Sequence, residues 1–460
     1  MELFKQIGNA VVQVNDFING IVWGVPLMVL IFATGIYFTV RLGFFQFRHP
    51  AFLVKETIVK AFRKKDEGST APGELTSFQA AMTSVAAIVG SGNIAGVATA
   101  LVMGGPGALV WMLLAALIGM ATKFAEVTLG LQYRQVHPDG SVSGGAMYYL
   151  SMGLKQKWLG VLFSILVIPY AFVISAVVDT NSIALALQER WQVPTLATGI
   201  VLALLTAAVV FGGLKRIGYV SAVLAPFMGG LYILGGIAVI LLNITQVPEA
   251  IVTVFRCAFT PAAATGGAIG SIFVCMRYGI ARGIYSNEAG LGTAAMVHSG
   301  AKVDHPVEQG VWGAVEVFLD TVLVCTVTAL TIVLSGLWNS GLDGSALTMR
   351  AFDKMLPGSV GGLICLASII LFGFSCLISF YTYAERAAEY IFGGSSKLVI
   401  KLLWIAMIVV GSQTTLGFAW DLADTINGMM IIPNLIGLLL LSNEVIKLKK
   451  DYFRSAGVDR

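Results

Sequence analysis

Val89-Gly90-Ser91-Gly92-Asn93-Ile94-Ala95-Gly96 is a glycine-rich, polar octet inside a long apolar run. From Leu75 to Thr122 there is no Asp, Glu, Lys or Arg. That run is long enough for two membrane helices, divided at Gly104-Gly105-Pro106-Gly107, which reads as a turn. The octet therefore falls at membrane depth in the first of the two. An unpaired backbone group in hydrocarbon costs several kcal/mol, so interrupted backbone survives only inside protein or beside a cavity. A break of this kind frees carbonyls that can hold a cation. It also exposes N–H groups that can hold a carboxylate.

The rest of the chain supports that setting. Of 460 residues 57% are hydrophobic, only 12% are charged, and the mean hydropathy is +0.84. Water-soluble proteins carry about twice that charged fraction, so a soluble multidomain enzyme is excluded. The class is an all-α polytopic membrane protein in a lipid bilayer. A formal net charge of +4 suggests no nucleic-acid partner. Five cysteines, odd in number and widely spaced, make neither a disulfide framework nor a metal site. The first apolar run is too long for a signal-peptide core.

Further spans fall near 20–40, 158–187, 193–214, 217–242, 262–298, 308–337, 358–384, 400–419 and 422–443. With the two helices around the octet the total is about eleven. Arg41, Arg48, Lys55, Lys60, Arg63, Lys64 and Lys65 mark a cytoplasmic segment with an amphipathic interfacial helix near 50–64. The basic loops at Arg134, Lys155 and Lys157, and at Lys215 and Arg216, then fall inside too. So does the tail with Lys447, Lys449 and Lys450. The N-terminus is expected outside and the C-terminus cytoplasmic, in the plasma (cell inner) membrane. Leu347 to Met355 is expected to form a short external helix.

A second interrupted stretch matches the octet: Tyr285-Ser286-Asn287-Glu288-Ala289-Gly290-Leu291-Gly292. Either stretch alone is read as readily as small-residue helix packing. Their positions correspond, however. Each lies in the first helix of a block of five spans, 77–243 and 262–443. Five is odd, so the second block starts on the opposite face of the membrane. Corresponding broken helices in inverted halves point to a transporter site. The octet's Gly90-x-Gly92 and Gly96 do not make a dinucleotide fingerprint, because the spacing is wrong and no βαβ unit surrounds it.

At these residues the chain resembles the sodium:alanine/glycine symporter family (AGCS), amino acid–cation symporters. The resemblance rests on Gly90-Ser-Gly-Asn-Ile-Ala-Gly-Val97, and on Gly104-Gly-Pro-Gly-Ala108 followed by Trp111-Met112. It rests further on Gly119-Met-Ala-Thr-Lys-Phe-Ala-Glu126, on Ser286-Asn-Glu-Ala-Gly-Leu-Gly292, and on Asp421 to Asn427. It implies a LeuT-like 5+5 inverted repeat preceded by one extra N-terminal helix. The units would be an N-terminal helix with amphipathic segment (1–65), a first repeat (66–250), a second repeat (251–443) and a cytoplasmic tail (444–460). It implies Na+ as coupling ion, no organic cofactor, and no required oligomer.

The chemistry of an amino acid zwitterion suits the breaks. Gly90, Ser91 and Gly92 allow close backbone approach to a carboxylate, and Asn93 is a neutral oxygen donor suited to Na+. By resemblance, one Na+ is expected near Asn93 and Ser286. A second is expected between the carbonyls of Ala86 and Val89 and the hydroxyl of Ser375. Both sets are neutral oxygens. Gln79 and Asn287 complete the substrate-side candidates with Asp179, Cys376 and Phe380.

Two departures from the family pattern bear on substrate choice. Where the family usually has a glutamine lining the pocket, this chain has Asp179, in Val178-Asp179-Thr180-Asn181-Ser182. An ionisable group at membrane depth is a functional candidate. It can pair with the substrate ammonium or with a side-chain amide or amine, or titrate and couple transport to protons. The bland alternative is a carboxylate reaching water at a helix end. Cys376 and Phe380 stand where the family often has Thr and Trp. That changes the polarity and volume of the pocket wall.

Lys123 and Glu126, at i, i+3, are expected to pair. Glu288 is expected to cap exposed backbone or join a gate, and Glu316, Asp320, Glu385 and Asp424 to serve gates or pairing. The function expected is inward Na+-coupled symport of a small neutral amino acid, alanine or glycine, by alternating access. The alternatives are a larger neutral amino acid such as glutamine, with proton coupling through Asp179 left open, and, in another class, an ion channel. No HExxH, GxSxG or Walker A motif supports an enzyme or a primary pump.

Overall fold

The computed structural model describes residues 2–62, 71–138, 141–260, 272–414 and 416–458. The expected basic residues Arg63, Lys64 and Lys65, and the first part of the interrupted span at 262–271, lie outside the described residues. What is described is almost wholly helical, with one short antiparallel pair, Gln135–Val136 against Val142–Ser143.

Among the described residues, six helices are long and apolar enough to cross a bilayer, or eight if each of two bent pairs counts as one span. The expected count of about eleven is therefore not reached on length. Three expected spans appear as 16-residue helices: Thr195–Val210, Ile272–Asn287 and Ser396–Gly411. At 1.5 Å per residue each covers about 24 Å, short of a hydrocarbon core of about 30 Å. The interfacial segment is helical from Pro50 to Phe62, and the short helix after the 306–335 span runs Gly344–Met355.

Both anticipated interruptions are present. Ser77–Ile88 opens with a capping box, in which Thr76 and Gln79 satisfy each other's backbone N–H groups. It ends at Val89, and the chain resumes through a π-helical turn, Gly92–Gly96, into Val97–Gly104, bent by 47°. The second helix, Ile272–Asn287, stops where Glu288 adopts φ +55°. Left-handed backbone is costly for a residue with a Cβ. Gly290 (φ +98°) and Gly292 (φ +80°) follow, and a short helix, Ala294–His298, carries the chain on.

Two longer spans contain π-helical stretches of their own. Phe172–Asp179 interrupts Lys157–Trp191, and Phe318–Cys325 interrupts Pro306–Ser335. A π turn widens the helix and re-aims side chains, which is why such turns collect at functional sites. The turns at Gly92–Gly96, Phe172–Asp179 and Phe318–Cys325 carry Asn93, Asp179 and Asp320.

Ala108–Gln132 is the central strut. It packs against Pro306–Val317, Ile272–Asn287, Ala294–His298 and Val25–Arg41. Small residues set the spacing: a Cβ on Gly130 would meet Ala295 at 2.6 Å. Outer helices turn large apolar side chains outward, with Leu204, Phe227 and Leu234 each more than 60% exposed. That face suits hydrocarbon rather than water.

Candidate functional site

The first break and the second break face each other across Asp320. The amide of Asn93 donates to Asp320 Oδ1 at 2.6 Å, and the hydroxyl of Ser286 donates to Oδ2 at 2.8 Å. Thr321 adds a third donor to Oδ2 at 2.7 Å, and Asn287 donates to the Thr321 hydroxyl at 3.0 Å. All five residues are buried. Asn93 is aimed by its own backbone, because its Oδ1 accepts from the Gly90 N–H at 2.8 Å.

Asn93 and Ser286 are the two residues expected to share a cation. Asn93 and Ser286 do meet, but around a carboxylate rather than as a set of neutral oxygens alone. The sequence signal for Asp320 was available. Pro306–Ser335 carries Glu308, Glu316 and Asp320 without a Lys or Arg. A dry carboxylate that lacks a basic partner in its own helix invites a cation from elsewhere.

Of the second expected set, the structure brings Ser375 to the Ala86 carbonyl, while the Val89 carbonyl faces Cys376. The Ser375 hydroxyl lies 2.8 Å from Ala86 O and 2.7 Å from Phe372 O. The Cys376 thiol lies 3.2 Å from Ala87 O and 3.9 Å from Val89 O. The freed carbonyls of the first helix thus face a hydroxyl and a thiol, both neutral and both weak claims on a carbonyl that could also hold Na+.

Between the clusters lies Asp179. Its Oδ1 accepts from the Ser91 hydroxyl at 2.5 Å. Its Oδ2 is buried and unpartnered among the described residues, although Cys376 and Ser175 lie alongside. The Tyr285 hydroxyl is likewise buried and unpartnered. An acceptor and an amphoteric hydroxyl left bare in a dry site are groups a ligand's donors would satisfy. Gly90 and Gly92 are needed here for space. A Cβ on Gly90 would overlap the Cys376 sulfur, and one on Gly92 would stand 3.0 Å from the Tyr285 ring.

Phe380 closes one side. Its ring lies 5.9 Å from Tyr170 and 5.1 Å from Tyr383, centroid to centroid. Both tyrosines donate to Glu288, each at 3.1 Å, and Thr293 donates to it at 2.8 Å. Glu288 therefore ties the aromatic wall to Thr293 through three side-chain hydroxyls, and the backbone cap expected of it does not appear among these bonds. Gln79 is not brought to this site. It is spent on the capping box at the far end of Ser77–Ile88.

On the other side of Tyr285 is a cavity of about 580 Å³, lined by Thr99, Glu189, Arg277, Asp343 and Asp421 among others. A stacked plug separates it from the site. Arg282 pairs with Asp424 at 2.8 Å and lies over Trp420 and Tyr285, and those two rings are 5.2 Å apart. The remaining acidic candidates are paired as well. Glu316 lies 2.8 Å from His298 Nε2 and accepts from Ser84 at 2.8 Å, and Glu385 accepts from Tyr381 at 2.5 Å.

Lys123 and Glu126 do not pair with each other. Lys123 donates to Asn287 O at 2.7 Å, and Glu126 accepts from Gly292 N at 3.1 Å and from Asn434 at 2.6 Å. The i, i+3 expectation fails because the second break supplies a bare carbonyl and a bare N–H, one for each charge.

Comparison with known proteins agrees with this geometry. A family model described as the Sodium:alanine symporter family matches residues 8–459. The Sodium/alanine symporter AgcS of Methanococcus maripaludis is 41% identical over 449 residues, covering 96% of this chain and 97% of that protein. The Probable sodium/glutamine symporter GlnT of Bacillus subtilis is 37% identical over 446 residues, 96% of this chain and 91% of its own. Among solved structures, MhsT in complex with L-phenylalanine superposes with a TM-score of 0.55. It is 16% identical and covers 82% of this chain and 98% of that one. That likeness speaks for the fold alone, which is the LeuT fold.

Proposed function

This chain belongs to the Sodium:alanine symporter family, and from that premise we propose that it carries a small neutral amino acid, alanine or glycine, inward with Na+ by alternating access. It is an integral membrane transporter, not an enzyme, and Na+-coupled amino acid symport is its function. The observation that carries the finer reading is the convergence of both broken helices on Asp320, through Asn93 and Ser286. A sodium ion there neutralises the carboxylate and gives the substrate carboxylate a cation to meet. Ala86, Val89 and Ser375 form the second ion position.

The substrate lies against Gly90, Ser91 and Gly92, with Asp179, Cys376, Phe380 and Asn287 around it. A second reading, a larger neutral amino acid such as glutamine, is favoured by the unpartnered Oδ2 of Asp179. A side-chain amide supplies the donor that oxygen lacks. If Asp179 exchanges a proton during the cycle, coupling to H+ accompanies it.

The architecture proposed is the eleven-span one, two five-helix repeats (66–250 and 251–443) after an N-terminal unit (1–65), with a tail (444–460). The N-terminus is outside, the C-terminus is cytoplasmic, and the membrane is the plasma membrane. The Arg282–Asp424 plug then shuts the site from the outer cavity.

The test is uptake into proteoliposomes over a panel of amino acids, with and without a sodium gradient. Saturable, sodium-driven uptake of alanine or glycine above the others is expected. Equal preference for glutamine selects the second reading, and conductance without saturable uptake would leave a channel.

A further inference from the structure

The two breaks solve one problem in two ways. Each leaves bare carbonyls at the end of one half-helix and bare N–H groups at the start of the next. At the second break, fixed charges of the protein answer both needs. Lys123 Nζ donates to Asn287 O at 2.7 Å, at the carbonyl end of Ile272–Asn287. That end is the negative pole of the helix, where a cation is favoured. Glu126 accepts from Gly292 N at 3.1 Å, and Asn434 bridges Glu126 to Gly290 O at 2.6 and 2.8 Å.

At the first break only one half of that arrangement is present. Asp179 supplies the fixed anion, through Ser91 at 2.5 Å. The groups on the carbonyls of Ala86 and Ala87 are the Ser375 hydroxyl and the Cys376 thiol, both neutral. Among the described residues no fixed cation stands at the position where a mobile one is proposed.

Lys123 is fully buried, on the central helix, in the motif Gly119–Glu126. A buried ammonium without partners is costly; this one has the Asn287 carbonyl, and Glu126, Glu288 and Asp320 are the carboxylates near enough to feel its charge. It is also wired to the cation cluster. Asn287, whose carbonyl it holds, donates to Thr321, which donates to Asp320.

We propose that Lys123 is a tethered cation that does at the second break what mobile sodium does at the first, positioning Asn287 and Ser286 for ion binding. The chain then needs one mobile cation fewer than its two breaks would require. This rests on the sodium-symport reading above. Glu126 is the matching positioning residue for the N–H side.

Amino acid uptake by the full chain in proteoliposomes, measured against external sodium for wild type, Lys123→Gln and Lys123→Arg, tests this. In Lys123→Gln a sodium ion has to fill the vacated position. The half-saturating sodium concentration is expected to rise by about tenfold or more, with a steeper curve. Lys123→Arg keeps the charge and is expected to stay within about twofold of wild type. The KM for the amino acid at saturating sodium should change little. A lowered maximal rate with an unmoved sodium curve would overturn the proposal, since that is what a purely structural lysine gives.

If Lys123→Gln does not fold because Glu126 is left uncompensated, Lys123→Gln/Glu126→Gln removes both charges and should show the same shift. Failure of both variants to fold even at high sodium also overturns it, because the proposal requires sodium to take over the role. Wild-type uptake indifferent to sodium would instead remove the functional reading itself.

Discussion

The Ser91 hydroxyl lies 2.5 Å from Oδ1 of Asp179, so the start of the second half of the first broken helix is met by a carboxylate from the Lys157–Trp191 span. That contact uses one oxygen and leaves the other bare inside the site. On the proposed reading the chain's own anion takes the Ser91 donor, and Oδ2 is the acceptor left for a ligand's positive end.

Asp179→Asn keeps the shape and removes the charge. A hydrogen bond to a charged group is worth about 1.5–3 kcal/mol, so the KM for the transported amino acid is expected to rise about 10- to 100-fold. The sodium concentration for half-maximal uptake should hold, because the proposed ion position is built on Asp320. An unchanged KM in radiolabelled uptake would mean that Asp179 serves only Ser91.

Asp320→Asn is expected to act on the ion instead. Three donors, Asn93, Ser286 and Thr321, lose their common acceptor charge. Breaking such a buried charged network costs several kcal/mol, so the half-saturating sodium concentration should climb by about 100-fold or more. Sodium titration of substrate binding to the purified protein is the measurement. A sodium curve that did not move would place the ion elsewhere.

Gly90→Ala puts a methyl group into the sulfur of Cys376. Gly90 stands at the broken end of Ser77–Ile88 and Cys376 in the middle of Val360–Phe392, so neither backbone has room to give and uptake is expected to be lost. Cys376→Ala removes the obstructing atom. In the double variant uptake should return in part, with a coupling energy above about 1 kcal/mol in a double-mutant cycle. Simple additivity of the two single effects would show that the close approach of these helices is not what requires glycine.

His305 supplies a pH-dependent contact outside the spans. Its Nδ1 accepts from the Val307 N–H at 3.2 Å at the start of Pro306–Val317, and its ring lies 4.9 Å from that of Tyr452. Burial holds its pKa below the ordinary value of 6.5. The neutral form is therefore the one the fold favours. The stability it contributes is full above about pH 6.5 and is lost as pH falls through the lower folded value. The protection factor of the Val307 amide in hydrogen exchange should drop across that window in wild type and stay flat in His305→Asn. A flat wild-type profile would refute the cap.

Much of the site was visible in the primary structure because backbone defects are local. Val89–Gly96 and Tyr285–Gly292 announce themselves by glycine and polar residues where only apolar helix is otherwise tolerated, and both breaks are where those letters stand. Ser375, Asn93 and Ser286 were reachable by resemblance; Ser375 reaches the Ala86 carbonyl, while Asn93 and Ser286 meet on Asp320. Asp320 was legible only as one of four carboxylates for gates or pairing, since nothing within its own span says that a π turn aims it at Asn93 and Ser286. Gln79 was a candidate by residue type. Its use as a helix cap depends on Thr76 three residues before it, a pattern that was there to be read.

What the sequence by itself determined is the medium and the interruptions. A charged fraction of 12% requires a bilayer, and two polar breaks in apolar helices require protein or ions around them. Only the tertiary structure decided which charge meets which break. Lys123 and Glu126 are near neighbours along one helix, yet each bonds across to a different end of the second break, and Asp320 gathers side chains from two others. In a low-dielectric interior a charge seeks the strongest available partner in space, and proximity along the chain does not say which one that is.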